Sequence, residues 1–372
     1  MPLANIADYV RMPKGAALRF KDMDETDALA LTLLVWLDWD AAGRGGLELD
    51  KALMRLPEGQ EHGEARELAS HMAASPRYAG LKLYDFERIS RAQPATQFAA
   101  LTLFDGHDAF VAYRGTDSSL AGWFEDIQLA YMESVPSQAQ AALYLERAAR
   151  RFPGGLYLGG HSKGGALALY AGVNVGAAQS RIRRVYSFDG PGLSRAVFES
   201  AAYARLRGRL TVIVPPRSIV GMLLWQDGEL RVVRSDARGV MQHDPFSWLT
   251  DAHGLLYEAE LSPASLRLRE VARALLAALP EEGVRRLADS LYALVLETGA
   301  RTVSELSRYI ASNPQRLAKA QGDADGRALY LLMYLVSAAG GGADAVSEAE
   351  QRRALEQLPP LDEAPQGALA KA

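Results

Sequence analysis

The chain has 372 residues, of which 49% are hydrophobic and 23% charged, and its formal net charge is −4. That balance is ordinary for a soluble globular protein long enough to bury a real core; it excludes a mainly disordered chain and a membrane channel, and lacks the basic footprint of a general nucleic-acid binder. With no cysteine, a disulfide framework, a zinc finger, an iron–sulfur site and a cysteine nucleophile are excluded.

The N-terminus has no basic start followed by an apolar run, so no secretory signal is expected. The longest apolar stretches, 28–37 and 328–336, fall short of the roughly 18 residues a membrane-spanning helix needs, and the cytoplasm is the expected compartment. Residues 1–85 read as mostly helical. Asp24 and Thr26 cap a buried segment carrying Leu29, Leu33, Val35 and Leu37, and 65–74 form a polar helix stopped by Pro76. Residues 98–104 and 109–113 flank Asp105-Gly106-His107-Asp108 and predict a hairpin. Helices follow over 121–131 and 137–152, then a short strand over 156–158 and a small-residue helix over 164–173. Next come a strand at 184–188, a helix at 194–206, and strands at 210–214 and 229–233. Strands alternating with helices imply crossovers and a parallel sheet, so the fold class is α/β over about 95–260. From Ser262 the pattern is helical only, with Ser262-Pro263 as a helix start, Thr302-x-x-Glu305 as a capping box and Gly340-Gly341-Gly342 as a stop. The tail after Pro359 is rich in Ala, Pro and Glu and reads as frayed; no internal repeat is visible.

The chemistry centres on Gly160-His161-Ser162-Lys163-Gly164, a G-x-S-x-G pattern between an apolar strand and a small-residue helix. A nucleophilic serine on a tight strand-to-helix turn requires that context. A Cβ at either flanking glycine would crowd the neighbouring strand or helix, and the helix N-terminus offers N–H groups to a developing oxyanion. A serine also needs a base and an orienting acid, which follow it in the order Ser, Asp, His in such sheets. Of the six histidines, His62, His71 and His107 fall in early segments, and His161, beside the nucleophile, leaves the turn in another direction. His243, in a loop after the last strand and before a helix, is the candidate base, with His253 in reserve. Asp189 ends the strand 184–188 ahead of Gly190-Pro191-Gly192 and is the candidate acid; capping the turn is the alternative role. The following strand ends in Pro215-Pro216-Arg217-Ser218 and offers no carboxylate. An oxyanion hole takes one N–H from Lys163 and one from the loop after an earlier strand, which 111–117 supplies.

Tyr113-Arg114-Gly115-Thr116 followed by Trp123 and Asp126, with the Gly-His-Ser-x-Gly-Gly elbow, resembles the class 3 (fungal-type) lipases. Gly160 to Gly165, Phe188-Asp189-Gly190-Pro191-Gly192 and Gln242-His243-Asp244 resemble more closely a bacterial lipase-like α/β-hydrolase family related to them, over about residues 20–260. The resemblance implies an α/β-hydrolase fold, Ser162 as nucleophile, His243 as base, Thr116 and Lys163 as oxyanion donors, and an acyl-ester or lipid-like substrate. One departure stands out. Class 3 lipases place the acid after the strand that here ends at Ser218, whereas Asp189 matches the pancreatic-type position one strand earlier. In the resembling lipases the region of 118–135 forms a lid; helical core packing is the equal alternative. The Lys163 ammonium either attracts an anionic group or, the favoured reading, swings to solvent or to an acid such as Glu133.

The expected organisation is an α/β-hydrolase unit over 1–260, with a helical segment 1–85 and a core 86–260, then a helical extension 261–345 and a terminal helix with a disordered tail, 346–372. The expected activity is a serine esterase or lipase-like hydrolysis through Ser162, His243 and Asp189. The alternative is an inactive relative serving as a binding scaffold. No cofactor, metal or nucleic acid is expected; peripheral membrane contact and the oligomeric state stay open. A phosphate-binding loop, a two-histidine zinc helix and a calcium loop at Asp323-Ala324-Asp325-Gly326 all fail on spacing.

Overall fold

In a computed structural model of the chain, the described residues form a nine-stranded sheet and a separate two-stranded one. The structure describes residues 4–278 apart from 14, 41–44, 58–62, 93, 94, 117–127, 130, 131 and 133, and beyond that 282–286, 289, 293, 299 and 309. The expected helix at 121–131 lies mainly outside these residues, and the C-terminal signals at 302–305 and 340–342 and the terminal tail lie wholly outside them.

The first pairings, β1 (Leu47–Glu48) with β2 (Lys82–Ala92), β2 with β3 (Ala95–Phe104) and β3 with β4 (Ala109–Tyr113), are antiparallel. From β4 the sheet is parallel through β5 (Leu156–His161), β6 (Ile182–Phe188), β7 (Leu210–Val214) and β8 (Glu229–Val233). A short β11 (Tyr257–Glu258) closes the edge antiparallel to β8, and β9 (Thr250–Asp251) and β10 (Gly254–Leu255) form a separate hairpin. The α/β class holds, and the expected hairpin turns at Asp105, whose carboxylate accepts from the N–H groups of His107 and Asp108 at 2.8 Å each. The long β2, which the sequence reading leaves out, begins inside the segment taken as helical.

Both faces of β4, β5 and β7 are buried, as crossover connections require, whereas β8, near the edge, exposes its first residues. Period-two alternation sorts the two faces. Phe110, Ala112, Tyr157, Tyr186, Phe188 and Ile213 join a cluster with the N-terminal helices α1 (Ile6–Arg11), α2 (Glu25–Leu33), α3 (Leu49–Leu53) and α4 (Gly63–Ala74). Val111, Tyr113, Leu156, Leu158, Val185 and Val212 face α5 (Pro136–Arg151), α6 (Lys163–Asn174), α7 (Arg195–Phe198) and α8 (Ala201–Leu206). The expected single helix at 194–206 is two: Ser200 interrupts it and caps α8 by accepting from Tyr203 N–H at 3.1 Å. Asp24 caps α2 as expected, taking the N–H groups of Thr26 and Asp27. After β11, α9 (Pro263–Ala278) starts at Ser262, whose hydroxyl accepts from Ser265 N–H and whose N–H donates to Pro216 O.

Candidate active site

Ser162 separates β5 from α6 with φ 58° and ψ −133°. A side chain is strained there, and such outliers persist only where the surroundings over-determine them. A Cβ on Gly160 would lie 1.9 Å from the Gly164 carbonyl oxygen, and one on Gly164 would lie 2.2 Å from that of Tyr113. The G-x-S-x-G spacing is therefore steric: only two bare α-carbons let β5, the turn and the first turn of α6 close up this far. The turn is tied to the end of β6, where Ser162 N–H donates to Phe188 O at 3.0 Å.

Asp189, the residue after Phe188, is fully buried and has φ 45°. Its carboxylate is met on both oxygens. Oδ1 accepts from Ser218 Oγ at 2.5 Å and from Gly221 N–H at 3.1 Å, and Oδ2 accepts from His243 Nδ1 at 2.7 Å. A buried carboxylate needs such donors to offset its lost hydration. Because a carboxylate accepts, Nδ1 of His243 carries the proton and Nε2 is left as the basic atom. The position after β7, empty of a carboxylate in the sequence, holds Ser218, whose hydroxyl turns to Asp189. Gly221 contributes a donor that no sequence signal marks.

His243 closes a 3-10 segment, Gly239–His243, which a second short 3-10 turn, Pro245–Ser247, follows instead of the expected helix. The loop is fastened by buried side chains. Gln242 donates to Ala237 O and accepts from Arg217 N–H, Trp248 Nε1 donates to Gln242 O at 2.8 Å, and His161 Nε2 donates to His243 O at 2.8 Å. Arg217, Ile219, Val220 and Val240 line a small cleft with Asp189 and His243. His253, the reserve base, is exposed in the turn between β9 and β10, away from the Asp189 carboxylate. Among the described residues no hydrogen bond joins Ser162 Oγ to His243, a contact that commonly tightens only in the substrate complex.

The loop after β4 abuts the elbow. A Cβ on Gly115 would lie 2.7 Å from His161 O and 3.1 Å from Ser162 Cβ. Thr116 is the next residue, and Lys163 is the first of α6. The Lys163 side chain does not swing to solvent, and Glu133, the acid named as its other partner in the sequence, lies outside the described residues. Lys163 is 2% exposed, and its ammonium donates to Gln97 O at 3.0 Å and Gln97 Oε1 at 3.1 Å on β3. Side chains on a first helical turn lean back toward the N-terminus, which here carries the ammonium over the sheet. Most of 118–135 lies outside the described residues. Of the rest, Leu129 and Val135 are buried against Leu224, with Met132, Trp225 and Leu276 packed beside them.

His161 is a missed residue. It is buried, its ring centroid lies 4.6 Å from that of His243, and desolvation and the neighbouring His243 lower its pKa to about 3. Alternation along β5 carried the signal: His161 lies four residues from Tyr157 and so faces the N-terminal layer.

The described residues form a mixed α/β fold with a large, mostly parallel central sheet and a serine at a strand–helix junction in mid-sheet. The chain belongs to the Mbeg1-like family, whose sequence model matches residues 72–293, more than half of the chain. No curated protein matches it. Among solved structures it is similar to a fungal lipase in an inhibitor complex, at 17% identity over 45% of this chain and 69% of that one with a TM-score of 0.36. It is similar also to Lip2 lipase from Yarrowia lipolytica, at 14% identity over 67% and 91% with a TM-score of 0.38. A Rhizomucor miehei lipase–propeptide complex matches at 15% identity over 67% and 78%, with a TM-score of 0.35. Among the described residues no helix is long and apolar enough to cross a membrane.

Proposed function

We propose that the chain is a serine hydrolase of the esterase or lipase kind, with Ser162 as nucleophile, His243 as base, Asp189 as orienting acid, and the N–H groups of Thr116 and Lys163 as oxyanion donors. The observation that carries this reading is the 2.7 Å contact of His243 Nδ1 with the buried Asp189 carboxylate, beside a serine held at positive φ. In the reaction, Ser162 Oγ adds to the ester carbonyl while His243 Nε2 takes its proton. The oxyanion forms against the Thr116 and Lys163 amides, the alcohol leaves with the proton from Nε2, and water repeats the sequence on the acyl-serine. Asp189 holds the imidazole in the tautomer that leaves Nε2 basic and stabilises the imidazolium. An acyl ester of lipid-like character is the proposed substrate class. Residues 1–260 form the proposed hydrolase unit. The helical extension after it begins with α9, which packs on the unit through Arg273 donating to Leu224 O and Gln226 O.

The test is fluorophosphonate labelling read by intact mass. We expect one adduct on the wild type, none on Ser162→Ala with folding retained, and loss of ester turnover in the same variant by about 1,000-fold or more. A well-folded wild type that takes no adduct, with and without detergent, refutes the reading in favour of a binding scaffold.

A further inference from the structure

The proposed mechanism leaves one buried histidine beside the site unused. His161 ends β5 and precedes Ser162 in the chain. Its Nε2 lies 2.8 Å from the carbonyl oxygen of His243, and its ring is inclined 36° to that of His243 at a centroid distance of 4.6 Å. Trp248 stands edge-on to it at 6.3 Å and donates from Nε1 to the preceding carbonyl, that of Gln242, at 2.8 Å. Two consecutive carbonyls of the loop that bears the proposed base are thus held by two buried rings.

Resting on the assignment of Ser162, Asp189 and His243 above, we propose that His161 is a positioning residue: the hydrogen bond from its Nε2 to His243 O fixes the backbone of the base relative to the serine next to it. A carbonyl only accepts, so Nε2 must carry the ring proton and Nδ1 keeps its lone pair. Nδ1 is buried and has no hydrogen-bond partner. An apolar ring of the same size would avoid that unsatisfied atom; what it would lose is the donor to His243 O. Burial and the nearby His243 keep the His161 ring neutral near pH 7, so the donor adds no positive charge beside an imidazole that gains a proton in each catalytic cycle. Because His161 and Ser162 are joined by one peptide bond, the separation of nucleophile and base is set at the end of a sheet strand and not by the loop alone. Misplacement of a reacting group by about 1 Å costs roughly 100-fold in rate, so such a clamp bears on rate more than on stability.

The experiment compares wild type, His161→Phe and His161→Gln in the full chain. Phe keeps the ring and deletes the donor; the Gln side chain carries an N–H at the reach of Nε2. Two readouts are taken: the downfield imidazole proton of the His243–Asp189 contact, assigned by its loss in Asp189→Asn, and the rate of fluorophosphonate labelling. We expect His161→Phe to lose or broaden the imidazole proton and to label about tenfold or more slowly, with its urea midpoint kept, and His161→Gln to regain both. A His161→Phe protein that labels like the wild type, or a folded His161→Gln that behaves like His161→Phe, overturns the proposal. Should His161→Phe fail to fold, His161→Asn replaces it: its amide cannot reach His243 O, so equal labelling by the Asn and Gln variants overturns the proposal, and slower labelling by Asn supports it. A wild type inert to the probe refutes the hydrolase reading instead, and the response of the imidazole proton to His161 then decides the positioning role by itself.

Discussion

Ser162 is held in a conformation that costs about 1–3 kcal/mol for a side chain, and its neighbours at Gly160, Gly164 and Phe188 make that conformation the one that fits. Gly160→Ala drives a methyl group into the Gly164 carbonyl; the expected result is a loss of about 1–3 kcal/mol or more in urea unfolding, together with loss of fluorophosphonate labelling. Ser218→Ala removes one of the donors to the fully buried Asp189. About 1.5–3 kcal/mol of stability should go with it, because the partner is charged. His161 carries a pH signature. Its folded pKa of about 3 lies below its ordinary value of 6.5, so between those values the unfolded chain binds more protons than the folded one. Stability contributed by the neutral ring is therefore complete above pH 6.5 and lost as pH falls toward 3, at up to about 1.4 kcal/mol per unit. His161→Phe should flatten that share of the slope in urea midpoints measured from pH 7 to pH 4; an unchanged slope would refute the buried neutral ring.

Among elements, the layer of N-terminal helices is joined by a buried ionic cluster. Asp27 on α2, 0% exposed, accepts from Arg77 at both oxygens and from Tyr78 Oη at 2.7 Å. Arg77→Ala leaves this carboxylate without its cation, and a loss of about 3–5 kcal/mol is expected by chemical denaturation. Most elements were legible because each obeys a local rule. Asp24 caps α2, Asp105 makes the hairpin turn, and the apolar runs of β4 to β7 read as buried strands. β2 was not legible, and its geometry says why. The pairing slips between Tyr84 and Glu87, with Asp85 at φ 53°. That bulge puts Leu83 and Phe86, three residues apart, into the same core cluster, a helical interval in a strand. The break between α7 and α8 has the opposite cause: a local cap at Ser200 wins over an apolar pattern that runs through it.

Over the whole molecule, the first residues close the site loop from a distance. Thr250 N–H donates to Ala4 O and Thr250 Oγ1 to Asn5 O, both at 2.8 Å, while Leu255 N–H donates to Thr26 Oγ1 at 2.8 Å. Deleting residues 1–11 should therefore speed amide hydrogen exchange over 247–256 more than in β5 or β6; equal protection there would show that the loop holds itself. The sequence alone determined the α/β class and the place of the serine elbow, because a glycine spacing, a cap or an alternation acts within a few residues through sterics and local hydrogen bonds. Which carboxylate meets His243, 54 residues further on, was decided only when the parallel sheet set the ends of β6 and β7 side by side and Ser218 filled the second position with a hydroxyl. The buried course of the Lys163 ammonium and the contact of His161 with His243 were decided in the same way. Each depends on what a distant segment presents across the sheet, and no local rule along the chain encodes that.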